Sequence, residues 1–364
     1  MKINEIIRLI EDVAPRALQE SYDNSGLQVG DPSQECVKTL FCIDITEEVI
    51  DEAVSIGANL VISHHPLIFK GLKSITGRDY IERSVIKAIQ NNICLYAAHT
   101  NLDNAWAGVN FMIANKIGLT DVEILDPKAD SLIKLVTFVP VGHAELLRQA
   151  LFSAGAGGIG NYDSCSYNTE GIGTFRAGND SDPFCGEKGM LHSEAETRIE
   201  VILPSFLKNR VLQTLKEVHP YEEPACDFIP LDNLWHHAGG GIVGFLPEPM
   251  MEIDFLKKLK KDFDAGCVKH SKFLNRKISK VALCGGSASF LIPNAIATGA
   301  DIYITGEIKY HDFFGNDEKI LLADIGHYES EQFTIQLIAD IILKKEPAFV
   351  FQFTKVNTNP INYL

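Results

Sequence analysis

Glu52-Ala-Val-Ser-Ile-Gly-Ala-Asn-Leu-Val-Ile-Ser-His-His65 aligns without gaps against Asn294-Ala-Ile-Ala-Thr-Gly-Ala-Asp-Ile-Tyr-Ile-Thr-Gly-Glu307. Ala, Gly, Ala and Ile recur at the same offsets, and most other apolar positions correspond. Each copy reads as the end of a helix, a glycine stop and a short apolar strand. Two copies of one helix–Gly–strand grammar imply two related α/β halves. The alignment also sets His64-His65 and Glu307 at equivalent strand ends.

Working outward, residues 40–45 form an apolar run, followed by Thr46-Glu47-Glu48, an N-cap with acid in the first helical turn. Strands follow over 59–63 and 93–98, with a helix over 80–90 between them. This βαβαβ rhythm predicts a mostly parallel sheet covered by helices. In the second half, strands are predicted over 281–284, 301–305 and 320–323, then a long helix over 328–344 and a strand over 349–353. The middle has a different texture. Strands over 132–140, 197–203 and 225–231 and helices over 145–152 and 208–218 supply all but one strand of the strand–helix–strand–strand–helix–strand order of a ferredoxin-like α+β domain, the reading adopted for this segment. His236-His237-Ala238-Gly239-Gly240-Gly241 reads as a linker. The expected organisation is a metal-binding α/β domain in two parts, 1–129 and 236–364, interrupted by an inserted ferredoxin-like domain at 130–235.

The composition bounds the function. The chain has 364 residues, 46% of them hydrophobic, and 33 basic against 48 acidic residues, a formal net charge of −15. Mean hydropathy is near zero. Such a balance argues against a sequence-independent grip on nucleic acid or an anionic membrane, and permits cation binding. No segment approaches the ~18 apolar residues of a membrane span. The eight cysteines are scattered without a C-x-x-C pair, which suits buried thiols of a reducing compartment and a cytoplasmic address.

Chemistry-bearing residues collect beyond strand ends, where α/β sheets place their sites. His64 and His65 follow one strand, His99 and Asp103 another, Glu307 and His311 a third. His327 and Glu331 stand four apart on a predicted helix and share a face. Imidazole with carboxylate suits Zn²⁺, Mn²⁺, Fe²⁺ or Ni²⁺ better than Ca²⁺ or Mg²⁺. Five or six ligands exceed one tetrahedral ion, which points to two metals and a bridging carboxylate. Taken singly each piece is commonplace, as His236-His237 illustrates; their coincidence at strand ends in both halves carries the reading. The glycine-rich stretch 154–160 lacks a phosphate-binding fingerprint and reads as a mobile loop, whereas Gly285-Gly286-Ser287, before a predicted helix with free amides, is the better anion candidate. His219 reads as a turn residue, and Trp106 and Trp235 as packing residues.

Ser63-His-His-Pro-Leu-Ile-Phe69, Ala98-His-Thr-Asn-Leu-Asp103, Gly306-Glu307 with Tyr310-His311, and Gly326-His-Tyr-Glu-Ser-Glu331 together resemble the NIF-three-like dinuclear-metal family. Asp23-Asn24-Ser25-Gly26-Leu27 and Asn357-Thr358-Asn359-Pro360 extend that resemblance over nearly the whole chain. Members are often catalogued as GTP cyclohydrolase I type 2 homologues. The inserted segment, with Val218-His-Pro-Tyr-Glu-Glu-Pro224, is similar to that of longer bacterial members and to CutA and P-II domains. The resemblance implies that His64, His65, Asp103, His327 and Glu331 are metal ligands, with Glu331 bridging two divalent ions. It further implies that His99 and His311 carry protons, that Glu307 lies just outside the ligands, and that the chain forms a homohexamer.

Two function classes follow. In the first, two metals lower the pKa of a shared water, and the chain is a hydrolase acting at guanine C8 of GTP or, by the same chemistry, on a phosphoester. In the second, the site stores, delivers or senses metal without turnover, and the inserted domain binds an effector. Saturable catalysis or its absence in the metal-loaded protein separates them.

Overall fold

The computed structural model describes residues 1–314 and 318–364. The chain is mixed α/β and divides into two compact units, Met1–Pro127 with His237–Leu364, and Lys128–His236.

The first unit holds two sheets. In one, strands Gly26–Val29, Cys94–Ala97, Leu60–Ser63, Thr39–Cys42 and Phe351–Phe353 lie side by side in that order. The last four are parallel, and Gly26–Val29 runs antiparallel along the edge. Every residue of the three central strands is buried, as a parallel sheet covered on both faces requires. The covering helices start where side chains satisfy their free amides. The Thr46 hydroxyl accepts from the Val49 amide and Asp79 from the Glu82 amide, opening helices Glu47–Ser55 and Tyr80–Gln90. The fully buried Phe41 meets Phe349, Phe351 and Phe353, whose ring centres lie 5.5–6.4 Å away. That aromatic packing seats the last strand.

The other sheet runs Lys269–His270, Leu321–Asp324, Ile302–Thr305, Lys277–Cys284, Trp235–Met251, Thr120–Lys128. Its parallel centre repeats the first half residue for residue. Thr39 to Cys42 pairs with Leu60 to Ser63 in one sheet, and Val281 to Cys284 pairs with Ile302 to Thr305 in the other. Gly57 and Gly299 end the preceding helices at φ +71° and +72°, the left-handed region that glycine enters without penalty. Each is followed by an alanine amide that bonds back into the helix, Ala58 to Ala53 and Ala300 to Ala295.

In the second unit, strands Tyr167–Arg176, Leu191–Pro204, Leu132–Pro140 and Cys226–Leu231 form one antiparallel sheet in that order. Helices Ala144–Ser153 and Lys208–Val218 contribute Leu147, Leu151, Val211 and Leu215 to a core shared with Leu135 and Ile199 of the sheet. Among the described residues no helix is long and apolar enough to cross a membrane.

Two sequence expectations are corrected. Residues 236–241, read as a linker, lie inside the 17-residue strand Trp235–Met251. Their glycines serve close backbone approach, since a Cβ on Gly239 would stand 2.1 Å from the Asp126 carbonyl oxygen. The helix expected over 328–344 is two, His327–Glu331 and Thr334–Leu343. In the loop at 154–160, the Gly157 amide donates to the Ile202 carbonyl at 2.7 Å, so that amide is engaged within the unit's own sheet.

Candidate metal centre

The strand Leu60–Ser63 ends at the sheet's C-terminal edge, and the chain continues directly into His64 and His65. The next strand, Cys94–Ala97, leads through His99 into the single turn Thr100–Asp103. From the second sheet, Leu321–Asp324 leads through Gly326, at φ +97°, into the turn His327–Glu331. Three strand ends thus deliver His64, His65, Asp103, His327 and Glu331 to one place.

Glu331, nearly fully buried, is the centre. Its Oε2 lies 2.9 Å from His65 Nε2 and 3.2 Å from His327 Nε2. Its Oε1 lies 3.6 Å from His64 Nε2, which is 3.7 Å from Asp103 Oδ1. The two carboxylate oxygens therefore face two separate donor groups. Each imidazole presents Nε2 to the centre. The Nδ1–H of His64 donates to the Ala98 carbonyl at 2.8 Å, and that of His65 to Asp44 at 2.7 Å. A ring fixed through its outer nitrogen is the usual arrangement of a ligating histidine.

His64 Nε2 and Asp103 Oδ1 are buried and have no hydrogen-bond partner. Unpaired buried polar atoms cost on the order of 1–3 kcal/mol each, and two facing each other make a place that would suit a cation. His64, His65 and Glu331 satisfy the spacing for a metal ion, with donor atoms within 4.8 Å of one another.

Against this geometry the comparisons with known proteins are specific. The DUF34/NIF3 (NGG1p interacting factor 3) family matches residues 1–360. The chain belongs to this family. A relative from Halalkalibacterium halodurans named GTP cyclohydrolase 1 type 2 homolog is 41% identical over 307 residues, covering 84% of this chain and 82% of its own. A Bacillus cereus protein related to NIF3 superposes with a TM-score of 0.86 at 37% identity, over 100% of this chain and 99% of that one. A Staphylococcus aureus protein gives 0.78 at 31% identity over the same shares.

The electrostatics of this NIF3-family centre follow from one buried carboxylate among three imidazoles. Burial favours neutral Glu331, but His64, His65 and His327 outweigh it and hold its pKa well below the usual carboxylate range. In return, and against burial, Glu331 raises all three histidines, with Asp103 adding at His64. For His65, Glu331 and Asp44 together push the pKa up to about 10. Burial raises Asp103, and Glu331 adds like-charge repulsion.

Of the remaining residues singled out in the sequence, His99 reaches the centre. Its ring lies 5.4 Å from those of both His64 and His65. Its Nδ1 is 2.7 Å from Asp23 Oδ1. Asp23 also accepts from Ser25 Oγ and from the Thr100 amide and hydroxyl, and these bonds with His99 lower its pKa despite burial. Because a carboxylate only accepts, Nδ1 carries the proton of this bond. Glu307 is half exposed, 3.8 Å from His327 Nδ1. His311 is exposed in the turn Tyr310–Phe313, where its ring meets Tyr310 and Phe314 rather than the cluster. Gly285-Gly286-Ser287 is not an anion cradle, because the Gly285 amide donates to Asn110 and that of Gly286 to Ser330.

Asp44 was missed as a site residue. Its signal was available, an acid two residues beyond the strand that pairs with the one leading to His64. Thr358 Oγ donates to its second oxygen at 2.9 Å, which gives the Asn357–Pro360 motif its task.

Proposed function

We propose that this chain binds two divalent metal ions of the Zn, Mn, Fe or Ni class and uses them to hydrolyse GTP at guanine C8. Support for two ions comes from Glu331: one oxygen faces His64 and Asp103, the other His65 and His327. The buried, unpartnered atoms of His64 and Asp103 fit the first ion, and the converging Nε2 atoms of His65 and His327, 3.3 Å apart, fit the second. When bound, such ions supply Lewis acidity and lower the pKa of water toward neutrality. The choice of GTP rests on the relatives' name.

The chain's own residues orient and move protons. Asp44 and the Ala98 carbonyl fix the rings of His65 and His64. Asp23 holds His99 with Nε2 free to accept a proton as water attacks C8, and to return it to the departing ring nitrogen. In the same proposal the subunit assembles as a homohexamer and works in the cytoplasm, which its eight free cysteines favour. The unit Lys128–His236 is then a ferredoxin-like insertion; its two helices and its antiparallel strand order support that.

Metal content per chain by elemental analysis, on wild type and Glu331→Ala with GTP turnover scored on the same samples, tests the proposal. About two ions in wild type, far fewer in the variant and loss of turnover with them are expected. Two ions with cleavage of generic phosphoesters and no GTP turnover would move the substrate. Absence of metal under every loading condition would remove the site.

A further inference from the structure

We propose that Cys185, His192 and Glu194 form a second metal site, for a zinc-class divalent cation, in the unit Lys128–His236. None of these residues serves the centre around Glu331.

His192 and Glu194 are next-but-one neighbours on the strand Leu191–Pro204 and therefore share one face. Across the ladder they pair with Phe175 and Gly173 of Tyr167–Arg176. The loop joining these two strands returns Cys185 to the same face. At its turn Gly186 sits at φ +79°, and a Cβ there would lie 2.8 Å from His192 Cγ. Only glycine lets the backbone press on the imidazole in this way. Phe184, next to Cys185, anchors the loop through ring contacts with His143 and Tyr221.

One donor atom from each of Cys185, His192 and Glu194 lies within 4.8 Å of the others, and His192 Nε2 is 2.8 Å from Glu194 Oε2. A tetrahedral ion with bonds of about 2.0–2.3 Å needs donors roughly 3.3–3.8 Å apart, which small side-chain rotations reach. Thiolate, imidazole and carboxylate in one group select zinc-class ions over Ca²⁺ and Mg²⁺, which take oxygen. Three protein donors leave one position for water. The His192 and Glu194 side chains are 28% and 29% exposed, so the ion exchanges with solvent. This is a site for a labile ion rather than a structural staple.

Cobalt titration of the intact chain, followed by absorption, tests this apart from the first centre, whose donors include no sulfur. The expected result is a thiolate-to-cobalt charge-transfer band in the near ultraviolet that disappears in Cys185→Ser. Cobalt affinity read from that band should fall at least about tenfold in Glu194→Gln and in His192→Ala, no less than loss of an outer partner costs. Circular dichroism matching wild type establishes that the variants fold. A cobalt-saturated wild type without the band, or a band unchanged in Cys185→Ser, overturns the proposal.

Discussion

Metal entering the centre proposed around Glu331 would have to displace protons. In the metal-free chain His65 is held as imidazolium by Glu331 and Asp44, with its pKa pushed up to about 10. An ion taking His65 Nε2 at pH 7 removes that proton about three units below its pKa. At about 1.4 kcal/mol per unit this costs about 4 kcal/mol of binding free energy. The cost shrinks as pH rises, so affinity should climb about tenfold per pH unit from 6.5 to 8.5 and level off as pH passes about 10. His64 and His327 are raised as well, and any proton they surrender steepens the slope. Stability of the metal-free chain moves the opposite way. The raised His65 pKa stabilises it fully below pH ~6.5, and that contribution is lost as pH rises through about 10. Isothermal titration of Zn²⁺ in two buffers of different ionisation enthalpy reads both affinity and proton release. One or more protons released per chain at pH 7, with about a hundredfold gain over two pH units, are expected. Affinity flat across that range with no proton release would refute the charge assignment.

Three further outcomes are expected. Gly286 sits at φ +65°, where a Cβ would lie 2.2 Å from Glu331 Oε1. Gly286→Ala should therefore lose ~1–2 kcal/mol to backbone strain alone and, by displacing Glu331, more than half its metal, read by thermal melting and elemental analysis. Asp23→Asn removes the charge that fixes His99 yet touches none of the five ligands. Metal content should stay at the wild-type level while GTP turnover falls about a hundredfold or more and its pH profile shifts. Phe41→Ala empties the ring cluster that seats Phe351–Phe353 and should cost ~3–5 kcal/mol in urea unfolding.

Elements with a local signal were legible in the sequence. Thr46 and Asp79 each accept the amide three residues on, so helix starts could be read from cap residues alone. The centre was legible because parallel strands end where loops are free to carry chemistry, and His64, His65 and Asp103 stand just past such ends. What escaped depends on partners distant in sequence. Tyr167–Arg176 is mostly exposed, contains two glycines and lacks period-two alternation, and only its neighbour makes it a strand. The glycines at 239–241 looked like a linker because the close approach of Asp126 has no sequence signature. His311 followed the same strand-end rule as His65, yet it lies in the turn Tyr310–Phe313, and the rule does not say which way a turn faces.

The two copies of the internal repeat differ at the cluster around Glu331. Asp44 and Gly286 occupy equivalent places, two residues beyond the paired Cys42 and Cys284. His64 and Gly306 likewise follow the paired Ser63 and Thr305. In the first half these positions carry Asp44, which orients His65, and His64, a ligand in the function proposed above. In the second half both are glycine, and a Cβ at either would collide with the turn His327–Glu331: 2.2 Å from Glu331 Oε1 at Gly286, and 2.8 Å from His327 Cα at Gly306. With no side chain at either position, the second half leaves room for the turn. Restoring a side chain at Gly306 should then damage the centre as surely as removing a ligand, although Gly306 donates no atom to it. Gly306→Ala with metal content near wild type would show that the turn can shift without loss, and that this division of labour between the halves is not what shapes the site.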